Sequence, residues 1–229
     1  MLRAIKDYLR RRELARLGIT VQVALPTFTS GDRSGVWTVW PDPLNQDSIV
    51  YSFGVGDNLA WELALVNRFG LNVHAFDPTP ASVAWVAEQT LPARLHFHAV
   101  GLADHDGMMR FAPRRPESQF NYRPLTTASV PASATVEAPV SRLTTLLHRV
   151  GRERIDVIKM DIEGGEYLAL ADMLKSGILP RQVLVEFHHH FADVGIDATV
   201  SAVSALKTAG YQIFHISARG LEMSFVHAG

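Results

Sequence analysis

From residue 49 onward the chain repeats a pattern that leaves few folds open. A short run rich in β-branched and aromatic residues is followed by a helical segment, then by another such run. IVYSFGVG precedes NLAWELALVNRFG, a helical pattern stopped by Gly70. NVHAFD precedes TPASVAWVAEQT, with Thr79 placed as a cap and Pro80 in the first turn. RLHFHAV reads as a third strand. GMMRFAP and TVEAPV then read as two short strands flanking the polar stretch 113–134. SRLTTLLHRVG is helical and IDVIKMDIEG is a fourth core strand. EYLALADMLKSG, QVLVEFHH and DATVSAVSALKTAG continue as helix, strand and helix. YQIFHIS and LEMSFVH end the chain, separated only by ARG. Strands alternating with helices predict a parallel sheet covered on both faces. The last two strands must pair antiparallel, because a parallel crossover needs roughly a dozen residues. The expected fold is therefore α/β: a doubly wound, mostly parallel seven-stranded sheet with a terminal antiparallel hairpin.

The chain has 229 residues, 47% of them hydrophobic and 20% charged, enough to bury a core without disulfides or a structural metal. Residues 1–48 are expected to form a helix and loop extension, and 49–229 the α/β domain. In the extension, Leu2, Ile5, Tyr8, Leu9 and Leu17 recur at helical spacing up to Gly18. Arg3, Lys6, Arg10, Arg11, Arg12 and Arg16 give residues 1–18 a balance of +4 against Asp7 and Glu13. Such a helix packs on its own domain, on a second subunit as a dimer contact, or against a polyanion or membrane surface. Residues 26–48, rich in Pro, Ser, Gly and Asp, read as an ordered loop in which Trp37 and Trp40 cover a pocket or plug the core edge.

Composition removes several classes of function. There is no cysteine, so zinc ribbons, disulfide frameworks and cysteine nucleophiles are excluded. A net charge of −1 provides no overall attraction to nucleic acid, and no apolar run approaches the ~18–20 residues of a membrane span. The arginine-bearing N-terminus has no apolar segment behind it, so a cytoplasmic location is the expectation.

In doubly wound sheets ligands lie beyond the carboxyl ends of the strands. Here those ends are Gly54–Asn58, Asp77, Val100–Asp104, Asp161–Glu166 and Glu186–His190, and each carries glycine, carboxylate or imidazole. Gly54 and Gly56 allow a tight turn and close backbone approach, while Leu59 stands where a dinucleotide fingerprint requires its third glycine. Asp77 lies 23 residues after Gly54, where a carboxylate accepts hydrogen bonds from ribose, or else it caps the next helix. Together these features point to an adenosine-bearing ligand. No tyrosine is followed four residues later by lysine, which opposes a short-chain oxidoreductase. A nucleotide-dependent oxidoreductase and a non-catalytic binding module remain the alternatives from other classes.

The sequence resembles class I S-adenosylmethionine-dependent methyltransferases, and within them the FkbM family. The resemblance rests on VYSFGVGDN (50–58), VHAFDPTP (73–80), AVGLADHDG (99–107), IDVIKMDIEGGEY (155–167) and VLVEFHHH (183–190). It runs over about residues 36–227, and DIEGGE is its most specific piece. Two positions depart from the common loop: Ser52 replaces an acidic residue two before the first glycine, and Asn58 stands at the usual third glycine. The resemblance implies S-adenosylmethionine as cofactor. Gly54 and Gly56 would lie along its methionine portion with Asp57 nearby, Asp77 on the ribose, and Val100, Gly101 and Leu102 beside the adenine. Asp161 would face the sulfonium. It also implies O-methylation of a hydroxyl on a sugar, oligosaccharide or glycosylated metabolite.

An alcohol becomes a competent nucleophile once its proton is removed, by a base such as histidine or by a metal that acidifies it. Asp161 and Glu163 follow strand four, with Glu166 opening a helix, where the dipole favours a carboxylate. Glu186, His188, His189 and His190 end strand five; on a continuing strand Glu186, His188 and His190 share one face. Asp161, Glu186 and His188 form a sensible set for magnesium or manganese, leaving His189 as base beside Asp161 and Glu163, or with the roles exchanged. Arg114, Arg115, Gln119, Asn121, Tyr122 and Arg123 suit a hydroxylated acceptor; the same stretch also reads as a disordered insertion.

Overall fold

The computed structural model describes residues 2–32, 35–115, 117–125, 135–151 and 154–228. Its central feature is a seven-stranded sheet in the order β12-β13-β11-β10-β3-β4-β5. The five strands β3 (Ile49–Phe53), β4 (Asn72–Phe76), β5 (Leu95–His98), β10 (Val157–Met160) and β11 (Gln182–Glu186) pair in parallel. The hairpin of β12 (Tyr211–Ile216) and β13 (Glu222–His227) is antiparallel, and β13 also joins β11 antiparallel. This is the sheet that the alternation predicts. Every residue of β3, β10 and β11 is buried, as expected for strands covered on both faces.

Helices α2 (Ala60–Phe69) and α3 (Pro80–Ala87) cover one face. Helices α4 (Leu143–Val150), α5 (Glu166–Lys175) and α6 (Gly195–Thr208) cover the other. Trp61 and Leu65 lie one turn apart on α2 and bury together with Val50, Val73 and Ala75 of the sheet. The helix stops at Gly70, whose left-handed backbone lets its N–H reach the Val66 carbonyl at 2.9 Å.

Three local expectations change. The segment read as a loop over 26–48 contains an antiparallel pair, β1 (Phe28–Ser30) with β2 (Trp37–Val39). Trp37 and Val39 pack with Val157 and Leu184 on the face that α2 and α3 occupy, and the Trp40 backbone exchanges hydrogen bonds with the Gln182 side chain (2.8 and 2.9 Å). Trp37 and Val39 thus supply apolar surface over β10 and β11 on that face.

The polar stretch 113–134 also contributes a strand, β8 (Tyr122–Pro124); its residues 126–134 lie outside the described ones. With β6 (Gly101–Leu102), β7 (Gly107–Pro113) and β9 (Val136–Ser141) it builds a separate four-stranded sheet in the order β6-β9-β7-β8. Finally, β11 ends at Glu186, and His188–His190 run into a turn. The strand alternation therefore does not extend over the three histidines, because the Phe191 N–H bonds back to the His188 carbonyl.

Candidate functional site

Strand order reverses between β3 and β10: the chain winds from β3 outward through β4 and β5, then returns to lay β10 and β11 on the other side. The crevice at their carboxyl ends is the switch point of a doubly wound sheet. A cavity of about 300 Å³ lies there, reached by Gly54–Asn58, Asp77–Thr79, Gly101–His105, Phe120–Tyr122 and Asp161–Gly165. Four of the five strand ends singled out from sequence converge on it. The fifth, at Glu186–His190, lies behind the Asp161–Glu166 turn.

The two glycines of the first turn have different physical reasons. At Gly54 (φ +85°) a Cβ would stand 1.8 Å from the Asp161 carbonyl oxygen, so this residue is glycine because β3 and β10 leave their ends backbone against backbone. At Gly56 (φ +58°) the nearest atom to a Cβ is the Phe120 Cβ, at 3.8 Å. Of the two, Gly56 is the one with room for a ligand against its backbone.

Asp77 binds the turn itself. Its Oδ2 accepts the Val55 and Gly56 N–H groups, both at 3.0 Å. Its Oδ1 accepts the Thr79 N–H at 2.9 Å and the Thr79 hydroxyl at 2.6 Å. A carboxylate has about four acceptor positions, so all are engaged within the protein. Asp77 thus ties the glycine turn to Thr79, the residue before α3, rather than capping that helix with its side chain. It stands at the cavity wall, where a ribose hydroxyl would have to share an oxygen already in use.

The departures at Ser52 and Asn58 have local explanations. The Ser52 hydroxyl donates to Glu62 Oε1 at 2.5 Å, so α2 delivers a buried carboxylate next to the position where the family's loop carries one. Asn58 Oδ1 accepts the Ala60 N–H at 2.9 Å and holds the first turn of α2. Lys159 was not singled out from sequence. Its Nζ donates to the Gly54 carbonyl at 2.8 Å, lies 4.0 Å from Glu62 and sits 5.2 Å from the centre of the Trp37 ring. A lysine inside a strand carries no sequence signal beyond its mismatch with apolar neighbours. Gly101, Leu102 and Ala103 line the cavity, whereas Val100 packs against the core. A Cβ on Gly101 would press on Pro78 at 2.9 Å.

At the other end of the cavity stand Asp161 and Glu163. Glu163 holds φ at +50°, a left-handed conformation that costs a non-glycine residue roughly 1–2 kcal/mol and turns the chain sharply before α5. Burial pushes the Glu163 carboxyl above the usual carboxylate range, and the Asp161 charge adds to this. Behind it, Glu166 is fully buried. It accepts the Gly164 N–H (2.9 Å), the His188 N–H (3.0 Å) and a hydrogen bond from the His188 ring at Nδ1 (3.0 Å). His188 Nε2 lies 3.4 Å from Glu163 and 3.9 Å from Asp161. Burial alone would lower this imidazole, but the Glu166 bond and the surrounding carboxylates raise it to about 9, so it is an imidazolium at neutral pH.

Asp161, Glu186 and His188, expected as metal ligands, come together: among the described residues they offer ligand atoms all within 4.8 Å of one another. Two of the three already have partners within the protein: His188 bonds Glu166, and Arg219 Nη2 lies 3.0 Å from Glu186. Burial, with the Asp161 and Glu222 charges, pushes the Glu186 carboxyl above the usual carboxylate range. An ion bound at all three residues would replace the His188 Nε2 proton.

His189 is not among the residues lining the cavity. Its Nδ1 lies 3.3 Å from the Thr199 hydroxyl of α6, and burial, with Arg10 and His188 nearby, lowers it to about 4. His190 is exposed and meets Arg114 at 3.0 Å. The polar stretch forms the rim: Phe120, Asn121 and Tyr122 line the cavity, Arg114 lies 3.7 Å from Glu163, and Arg123 pairs with Asp193 at 2.6 Å.

Comparison with known proteins agrees with this architecture. Residues 34–213 match the methyltransferase FkbM domain. The chain is 25% identical over 182 residues to the human (Homo sapiens) probable methyltransferase-like protein 24, covering 75% of this chain and 43% of that protein. The rat (Rattus norvegicus) protein of the same name is 25% identical over 177 residues, covering 72% of this chain and 42% of that protein. The chain therefore spans less than half the length of these curated relatives. Among solved structures, the methyltransferase FkbM from Methylobacillus flagellatus KT superposes with a TM-score of 0.51 at 15% identity, covering 80% of this chain and 44% of that one.

Proposed function

The chain belongs to the FkbM methyltransferase family, and from that premise we propose that it transfers the methyl group of S-adenosylmethionine to a hydroxyl oxygen of a sugar, oligosaccharide or glycosylated metabolite. The observation that carries this reading is one continuous cavity joining the Gly56 turn to a carboxylate end under an amide and aromatic rim.

The lining of the cavity suits the cofactor's chemistry. Gly56 has open space beside it, with only the Phe120 Cβ at 3.8 Å from where its own Cβ would stand, and Asp57 and Asn58 present polar groups next to it. Gly101 and Leu102 with Pro78 supply a narrow apolar wall of the kind an adenine ring fills. Asp77 holds the turn in register, and its carboxylate is the nearest acceptor for ribose. When bound, S-adenosylmethionine supplies an electrophilic methyl group on a positively charged sulfur. Asp161 at the crevice offers that charge a carboxylate.

The chain's own contribution is to aim an acceptor and take its proton. Glu163 is the stronger candidate base: its carboxyl lines the cavity, is raised by burial, and has the His188 imidazolium and Arg114 to stabilise it once ionised. His189 as base would require the turn after β11 to swing its ring away from Thr199. Asn121 and Tyr122 suit arrays of sugar hydroxyls, since amide and phenol groups both donate and accept.

A second reading is favoured by the convergence of Asp161, Glu186 and His188. In it these residues hold magnesium or manganese, which would acidify the acceptor hydroxyl.

Calorimetric titration with S-adenosylhomocysteine tests the cofactor, and transfer of labelled methyl to a panel of sugars and glycosides tests the acceptor. Binding followed by label on an alkali-stable ether would support the proposal. Absence of S-adenosylhomocysteine binding would end it, with NAD as the next ligand to titrate. Binding without transfer, unchanged by Asp161→Ala, would favour a non-catalytic module. Transfer abolished by a chelator and restored by magnesium would select the metal reading.

A further inference from the structure

The N-terminal helix α1 (Leu2–Arg16) stands almost wholly in solvent. Among its residues from Ala4 onward only Leu14 is buried, with Asp7 and Arg10 half-buried. It is held at that side: Arg10 donates to the Arg219 carbonyl at 2.6 Å and to Asp7 at 3.1 Å, and Lys207 reaches the Gly18 carbonyl at 3.1 Å. Arg219 in turn bonds Glu186 at the carboxyl end of β11, so α1 sits on the edge of the molecule where the strand ends lie.

At 3.6 residues per turn, Leu14, Asp7 and Arg10 fall on one half of the helix, and Ile5, Tyr8, Leu9, Arg12 and Arg16 fall on the other. That outward half has three large apolar side chains at 50%, 64% and 54% exposure, followed by two exposed arginines. Lys6 and Arg11 flank it; the helix's two carboxylates lie elsewhere, Asp7 inward and Glu13 at the border. A helix of this length is marginal in water by itself, and among the described residues none buries Ile5, Tyr8 or Leu9.

We propose that the outward face of α1 docks on an anionic lipid surface. Ile5, Leu9 and Tyr8 would enter the boundary between headgroups and acyl chains, and Arg12 and Arg16 would lie among headgroup phosphates, which their guanidinium forks match. Charge selects this occupant over a second copy. Twofold pairing of α1 with itself would set Arg12 and Arg16 against their counterparts with no carboxylate on the face to answer them. Charge also sets orientation. The first eighteen residues carry +4 of a chain whose total is −1, so the rest carries −5 and the attraction of an anionic surface is strongest at the helix.

The test is co-sedimentation of the full chain with phosphatidylcholine–phosphatidylserine vesicles and with phosphatidylcholine vesicles alone, at low and high salt. Binding is expected only with phosphatidylserine and is weakened by salt. The double variant Arg12→Gln, Arg16→Gln should bind roughly twenty-fivefold more weakly, about fivefold for each arginine. Ile5→Ser with Leu9→Ser should also weaken binding, with thermal unfolding little changed because both side chains are half-exposed and belong to no core cluster. No sedimentation at low salt overturns the proposal, as does sedimentation that neither variant weakens. A dimer in solution that the Ile5→Ser, Leu9→Ser variant dissolves, without vesicle binding, would assign the face to a second copy instead.

Discussion

Asp77→Asn separates two roles that one carboxylate at the end of β4 can have. In the protein its oxygens accept four hydrogen bonds, two from backbone N–H groups of the glycine turn and two from Thr79. An amide supplies one oxygen and one NH2 group. If the oxygen stays toward the turn, the Thr79 N–H faces a donor and its hydroxyl rotates to accept. If the amide flips, both turn amides lose their acceptor. Either way the negative charge is gone and at least one buried N–H is unsatisfied. Each such loss costs about 1–3 kcal/mol, and hydrogen bonds to a charged acceptor are the stronger kind. The expected destabilisation is therefore about 2–4 kcal/mol, which for a domain of this size lowers Tm by roughly 5–15 °C. Thermal unfolding followed by circular dichroism, without any cofactor, reads the effect directly. A residue whose only task is to hold ribose would lose S-adenosylhomocysteine affinity and keep its Tm. An unchanged Tm for Asp77→Asn would thus refute the account of the turn.

Gly54→Ala should fail to fold or unfold far below the wild type, since the Asp161 backbone, just past β10, occupies the space. Gly56→Ala should fold with a Tm lower by a few degrees, for about 1–2 kcal/mol of left-handed strain, and lose cofactor affinity; equal Tm values for the two would contradict the division between them. Glu163→Gln should retain S-adenosylhomocysteine binding while methyl transfer falls roughly 10²–10⁴-fold, the usual range for a lost general base; transfer at wild-type rate would exclude Glu163 from that role. The His189 imidazole has a folded pKa lowered to about 4 from an ordinary value near 6.5. Protons therefore bind the unfolded chain more tightly, and His189 lowers stability as pH falls from about 6.5 toward 4. A Tm-against-pH series of His189→Gln should fall less steeply than the wild type over that interval and run parallel to it above pH 7.

The strand–helix alternation, the seven strands and the antiparallel closing hairpin were legible in sequence because each rests on short-range physics: side-chain period, caps, glycine stops and the minimum length of a crossover. The strand ends that form the cavity were legible for the same reason, since a doubly wound sheet confines ligands to one edge. Tertiary structure decided which groups at that edge face the cavity and which face each other. Asp77 is committed to the Val55 and Gly56 amides, which sit 22 and 21 residues away in sequence. Glu62 arrived beside Ser52 from a helix, and Lys159 reached the Gly54 carbonyl from a neighbouring strand. His189 was read as the base left free by a metal set of Asp161, Glu186 and His188; the strand stops at Glu186, and a turn sets its Nδ1 3.3 Å from the Thr199 hydroxyl. The separate four-stranded sheet was hidden because β6 and β8 are only 2 and 3 residues long, too short for any period to register. Sequence determined the scaffold and the edge at which chemistry can occur, since both follow from local spacing. The protonation and direction of each side chain there depend on burial and on partners brought in from other elements, which only the folded chain supplies.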